Sequence, residues 1–242
     1  MNYTTVLKRC AAVLGFVSLA AGLAFATSAS APTVSADEAL QKLMDGNQRY
    51  VENQMTGTKL CDLTTRTSLA KSQHPYAIVL TCSDSRVPPE ILFDKGLGEI
   101  FVIRVAGNVP DKIVLGSIEY AAEHLGSPLV MVLGHERCGA VKATVDAKGK
   151  SSGSRNIDAI VKAVRPAVKA AARDCQACRD DKKCADTKKD EFVECVVDAN
   201  AKNVAASLTK NSRILNHLLH EKKIGIVAAK YDLDDGKVTL FK

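Results

Sequence analysis

The sequence has 242 residues, a formal net charge of +6, 46% hydrophobic residues and 5% aromatic residues. That length suits one compact domain with a sizeable core and excludes a second full one. The mild basic excess lacks the clustered stripe of a nucleic-acid-binding protein, so no nucleic-acid partner is expected. Residues 1–36 read as a secretory signal: Lys8 and Arg9 precede an apolar run from Ala11 to Phe25, and a small-residue tract ends at Ala36. The run is too short to span a bilayer comfortably. The expectation is export to a bacterial periplasm or beyond, cleavage after Ala26 or Ala36, and no stable membrane association afterwards, leaving residues 37–242 as the domain.

From Asp37, apolar residues Leu40, Leu43, Met44, Tyr50 and Val51 recur at three- and four-residue intervals and predict a helical arm up to the Gly57 break. Periodicity leaves open whether the arm packs on its own domain or on a partner. Tyr76 to Leu80 reads as a buried strand running into Thr81-Cys82-Ser83-Asp84-Ser85-Arg86 and the turn-forming Pro88-Pro89. Ile100 to Val105 reads as a second strand. A helix follows from Ile113 to Leu125, with Ile113, Gly116, Ile118, Tyr120 and Ala121 offered to a sheet and Gly126 as its stop. Leu129 to Leu133 is a third buried strand, ending at Gly134-His135-Glu136-Arg137-Cys138-Gly139 before a helical stretch from Ala140.

Residues 148–200 are read as a variable insertion, a polar loop and then charged, cysteine-rich helix. Asn203 to His220 suits one more helix. Ile224 to Ala229, the Asp234-Asp235-Gly236 turn and Val238 to Phe241 suit a strand, a tight turn and an edge strand. The expected fold is α/β: a mainly parallel central sheet flanked by helices, with an N-terminal helical arm and a C-terminal edge strand.

In such sheets ligand sites lie beyond the carboxyl ends of the strands, where both cysteine motifs stand. A catalytic zinc takes three protein ligands and keeps a fourth position open. Cys82 with the pair His135-x-x-Cys138 supplies that count, and the start of a helix favours a thiolate at Cys138. Taken singly, each residue is more often a buried hydrophobe or a satisfied core histidine. Asp84 and Arg86 shift the balance, because a carboxylate beside the metal and a guanidinium beside the carboxylate have little value in a plain core. Arg86 would keep Asp84 ionised, and Asp84 would accept a hydrogen bond from the metal's water.

The runs Cys82-Ser83-Asp84-Ser85-Arg86, Phe101 to Asn108 and Gly134-His135-x-x-Cys138-Gly139 resemble the signature of the β-class carbonic anhydrases. Further similarity lies in Gly46-Asn47-Gln48-Arg49-Tyr50, Ser117-Ile118-Glu119-Tyr120 and Tyr231-Asp232-Leu233, so only residues 148–200 fall outside it. The resemblance implies one zinc ion per subunit on Cys82, His135 and Cys138, reversible hydration of carbon dioxide to bicarbonate and a proton, and a homodimer or homotetramer with sites at the dimer interface. It also implies substrate-facing roles for Gln73, Phe101, Ala106, Tyr120 and Gly139, with Phe101 and Tyr120 reaching in from the neighbouring subunit. The sequence departs from the pattern over Val105-Ala106-Gly107-Asn108, where many members carry asparagine directly after the arginine, and the departure bears on the pocket wall near Ala106.

Cys175, Cys178, Cys184 and Cys195 form a C-x-x-C-x5-C-x10-C set. Two disulfides, a second structural zinc or free thiols all fit that spacing, and an oxidising compartment favours disulfides of unspecified pairing. Two other functions stay open at this stage. One is hydrolysis of carbonyl sulfide or carbon disulfide at the same first shell; the other is a thiol-redox or non-catalytic zinc module built on Cys175 and Cys178, which leaves Asp84, Arg86 and Gln73 without a role.

Overall fold

The computed structural model describes residues 34–56, 61–178 and 184–242. The expected signal segment lies outside the described residues up to residue 33. The elements run α1 (Ala36–Val51), α2 (Leu63–Leu69), β1 (Ala77–Thr81), α3 (Pro89–Leu92), β2 (Ile100–Arg104), α4 (Lys112–Glu123), β3 (Leu129–His135), α5 (Gly139–Ala147), α6 (Arg155–Asp174), α7 (Cys184–Thr187), α8 (Lys189–Asn211), α9 (Arg213–His220), β4 (Gly225–Tyr231) and β5 (Val238–Leu240).

Every residue of β1 and β3 is buried, as strands covered on both faces require. Among the described residues the strands form one sheet of order β2-β1-β3-β4-β5, parallel except for the β4–β5 pair. Alternate side chains supply two cores. Val79, Met131 and Leu133 pack with Leu43 of α1, while Ile78, Leu80, Val130 and Val132 pack with Ile118 of α4, Leu208 of α8 and Leu215 of α9. Each such side chain contributes roughly 1.5–3 kcal/mol on burial.

Helix α1 packs on its own domain. Gly46 permits this, since a Cβ there would lie 1.8 Å from the Phe93 carbonyl oxygen. Buried Asn47 then donates to the carbonyls of Leu92 (3.1 Å) and Gly236 (2.9 Å) and accepts from the Val238 N–H (2.8 Å). Ser35 caps the helix in a reciprocal capping box with Glu38, and Val34 packs against the core, so the folded body begins before residue 37.

Two local expectations are corrected. The buried stripe of α4 is Val114, Ile118, Ala121 and Ala122, whereas Ile113 is 81% and Tyr120 48% exposed. The helix also starts one residue earlier than expected, capped by Asp111, which accepts from the N–H groups of Ile113 and Val114. Likewise α8 runs unbroken through Asn203 to Asn211, and Ser212 ends it and caps α9 by accepting from the Leu215 N–H at 3.0 Å. The insertion carries two disulfides, Cys175–Cys195 and Cys178–Cys184, which settles the pairing. They join the end of α6 to α8 and the following turn to α7.

Candidate metal centre

Strand register builds the centre. Thr81 pairs with Leu133, so Cys82 leaves β1 level with Gly134, one residue short of His135 at the end of β3. Cys138 returns to the same place as the N-cap residue of α5. The donor atoms of Cys82, His135 and Cys138 lie within 4.8 Å of one another and all three residues are buried. The sulfurs are 4.0 Å apart.

The histidine presents its Nε2 to this point. Its Nδ1 lies 2.8 Å from the Glu136 carbonyl oxygen, an acceptor, so Nδ1 carries the proton and Nε2 the lone pair. Nε2 is buried and has no hydrogen-bond partner among the described residues. The contact with Cys138 pulls the Cys82 thiol well below its ordinary value, against desolvation, and the N–H groups of Gly107 and Asp84 act in the same direction. Cys138 is pushed up by that contact and by burial. An orphaned buried imidazole nitrogen beside two buried sulfurs is the donor set that a soft divalent cation completes, and zinc is the ion that two sulfurs and one imidazole suit. The residues fit the metal.

Asp84 stands beside this point, its Oδ2 3.9 Å from His135 Nε2. Arg86 grips it with a two-pronged fork, Nε to Oδ1 at 2.9 Å and Nη2 to Oδ2 at 2.8 Å, while the Arg86 backbone N–H adds a 3.0 Å bond. That fork and the Arg86 backbone N–H, opposed by partial burial, hold the carboxyl well below the usual carboxylate range.

Arg104 has no role in the sequence reading beyond its place in the signature run, yet it latches the segment: its Nε donates to the Cys82 carbonyl at 3.1 Å and its Nη2 to the Asp84 carbonyl at 2.6 Å. A charged residue ending an apolar strand on the carboxyl edge was the available signal. Gly107, at φ 73°, donates its N–H to Cys82 Sγ at 3.4 Å and brings Ala106 to the donor segment. Gly139 is exposed directly after Cys138.

The remaining expected pocket residues stand elsewhere in the same chain. Gln73 is exposed and precedes β1, a strand that itself runs about 17 Å before reaching Cys82. Phe101 pairs with Ile78, near the start of β2, and faces Tyr120 with ring centroids 6.4 Å apart. A cavity of about 570 Å³ lies outside the His135–Cys138 loop, walled by Glu136, Arg137, Glu194 and Asp234 and by none of the three donors.

A mainly parallel α/β sheet with a Cys-His-Cys cluster and a forked carboxylate over its strand ends is an arrangement that fits a metal-dependent enzyme. The carbonic anhydrase family profile matches residues 77–238. The carbonic anhydrase of Mycolicibacterium smegmatis is 39% identical over 203 residues, covering 84% of this chain and 91% of its own. A Coccomyxa β-carbonic anhydrase solved with acetazolamide superposes with a TM-score of 0.63 at 25% identity, over 84% of this chain and 86% of that one. Tetrameric β-carbonic anhydrases from Sordaria macrospora share the fold, with a TM-score of 0.62 at 18% identity over 84% of this chain and 97% of that one. The chain belongs to the β-carbonic anhydrase family, enzymes that interconvert carbon dioxide and bicarbonate.

Proposed function

We propose that this chain is a zinc carbonic anhydrase in which Cys82, His135 and Cys138 hold the metal and Asp84, aimed by Arg86, orients the water that attacks carbon dioxide. The conjunction at the strand ends carries the reading: three soft donors within 4.8 Å of one another and an ionised, forked carboxylate 3.9 Å from the imidazole nitrogen. Zinc bound by these residues supplies the Lewis acidity that lowers the pKa of water. Asp84, held below the ordinary carboxylate range, is a poor proton acceptor at neutral pH, so its part is to accept a hydrogen bond and not to act as general base. By accepting the water's hydrogen it turns the oxygen lone pair toward the carbon of the substrate. Arg104 keeps the carbonyls of Cys82 and Asp84 in place while this happens. Ala106 and Gly139 border the substrate on the donor side.

Gln73, Phe101 and Tyr120 serve the pocket of a second copy, which makes the working unit a homodimer or a pair of dimers. The exposed Tyr120 and the half-buried edge strand β2 support that reading. Export through residues 1–36 is supported by the two disulfides, which persist in oxidising compartments. Of the two cleavage points, the one after Ala26 leaves Val34 and the Ser35 cap in the mature chain. Among the described residues no helix is long and apolar enough to cross a membrane.

Metal analysis and stopped-flow carbon dioxide hydration test the reading. One zinc per chain and activity lost in Cys82→Ser are expected. Activity equal in Cys82→Ser and the parent protein would overturn it.

A further inference from the structure

The donors come from two segments: Cys82 follows β1, and His135 and Cys138 bracket a turn after β3. A left-handed residue stands close to the sulfur in each case, within the turn after β3 for the His135–Cys138 pair and on the neighbouring turn after β2 for Cys82. Arg137, between His135 and Cys138, has φ 50°, and Gly107, whose N–H meets Cys82 Sγ, has φ 73°. What fixes the two turns relative to each other is one helix. Glu194 Oε1 of α8 accepts the Arg137 backbone N–H at 2.8 Å. Six residues on, and 2% exposed, Asn200 donates Nδ2 to the Gly107 carbonyl at 2.9 Å. Between these bonds α8 lies directly on β3, since a Cβ at Gly134 would touch Val197 and Ala201 at 3.4 Å.

We propose that Glu194 and Asn200 are positioning residues of the metal centre, with α8 as the common frame that sets Cys82 Sγ against the His135–Cys138 pair. The inference rests on the reading of those three residues as metal ligands. Glu194 holds the Arg137 peptide so that His135 and Cys138 converge instead of splaying. Asn200 holds the Gly107 peptide from its carbonyl end, which keeps the N–H at the other end of that residue aimed at the sulfur. This N–H draws charge from Cys82, so Asn200 acts on both the place and the donor strength of the thiolate. Neither residue touches the substrate.

The test uses the full zinc enzyme and its cobalt-substituted form. Zinc affinity is measured by competition with a chromophoric chelator, and the sulfur-to-cobalt charge-transfer band is recorded for Glu194→Ala, Glu194→Gln, Asn200→Ala and Asn200→Ser. Each alanine variant is expected to bind zinc about 10- to 100-fold more weakly and to shift the band. Glu194→Gln keeps an acceptor oxygen and is expected to restore both readouts. Glu194 is partly exposed, so its variants report on the proposal even if a substitution at buried Asn200 prevents folding. Folded alanine variants with parental affinity and an unshifted band would refute the inference, as would a fall in thermal stability that leaves both metal readouts unchanged. A parent protein that binds no stoichiometric zinc overturns the metal reading itself, which separates that failure from failure of the positioning role.

Discussion

At the scale of single residues, Asp84 decides how the chemistry depends on pH. The Arg86 fork lowers its folded pKa, so it stabilises the fold at pH above its unfolded value and gives up that contribution only as pH falls through the folded one. Between pH 6 and 9 it stays a carboxylate. Asp84→Asn, which keeps the shape and loses the paired charge, is therefore expected to retain zinc while lowering carbon dioxide hydration by on the order of 10²-fold, a factor constant over that pH range. A deficit that shrinks or grows steeply between pH 6 and 9 in stopped-flow profiles would mean that Asp84 titrates there, contrary to its geometry. The three donors and this dyad were legible in the sequence because each sits beside another at short spacing on a strand end. Glu194 and Asn200 were not, because they act from more than 50 residues away through backbone groups, and no local pattern marks a side chain that bonds to a distant peptide, whereas Arg104 left only the weak signal of a charge ending an apolar strand.

At the scale of elements, continuously apolar strands and turn glycines made the sheet readable, while caps decided what periodicity left ambiguous. The start of α4 turned on Asp111, and the α8–α9 boundary turned on Ser212. The fragment Gly46-Asn47 was visible only as a resemblance until its packing gave the reason for it. Two effects oppose each other at Gly46: alanine raises intrinsic helix propensity by about 1 kcal/mol, but its Cβ would fall 1.8 Å from a backbone oxygen that no side-chain adjustment can move. The clash wins, so Gly46→Ala is expected to lower stability and loosen α1, seen as faster proteolysis of the arm. The insertion makes the complementary case. Its connectivity is a property of the folded α6–α8 pair, which is why spacing alone left three pairings open. The 20-residue span from Cys175 to Cys195 is long enough that Cys175→Ser with Cys195→Ser should cost about 3 kcal/mol in denaturant unfolding. A loss below about 0.5 kcal/mol would mean that α6 and α8 hold together without it.

At the scale of the whole molecule, the distribution of the pocket residues is the informative fact. Cys82, Asp84, His135 and Cys138 gather at the carboxyl end of the central strands, whereas Gln73 lies before β1, and Phe101 and Tyr120 sit toward the β2 edge. Among the described residues strand β2 pairs only with β1, so its other side is a sheet edge, with exposed Tyr120 close to Phe101 of that strand. A second copy applied across that edge by a two-fold axis would cover the aromatics and carry its own Gln73 toward the first copy's metal centre. Complementation tests this more sharply than molecular mass does. Asp84→Asn and Gln73→Ala are each expected to be nearly inactive as homodimers. After subunit exchange, mixed dimers hold one pocket with neither defect, so an equimolar mixture should recover about a quarter of parental activity if exchange is random. Pockets built from one chain alone would leave the mixture as inactive as its components, because every site would then keep the defect of its own chain.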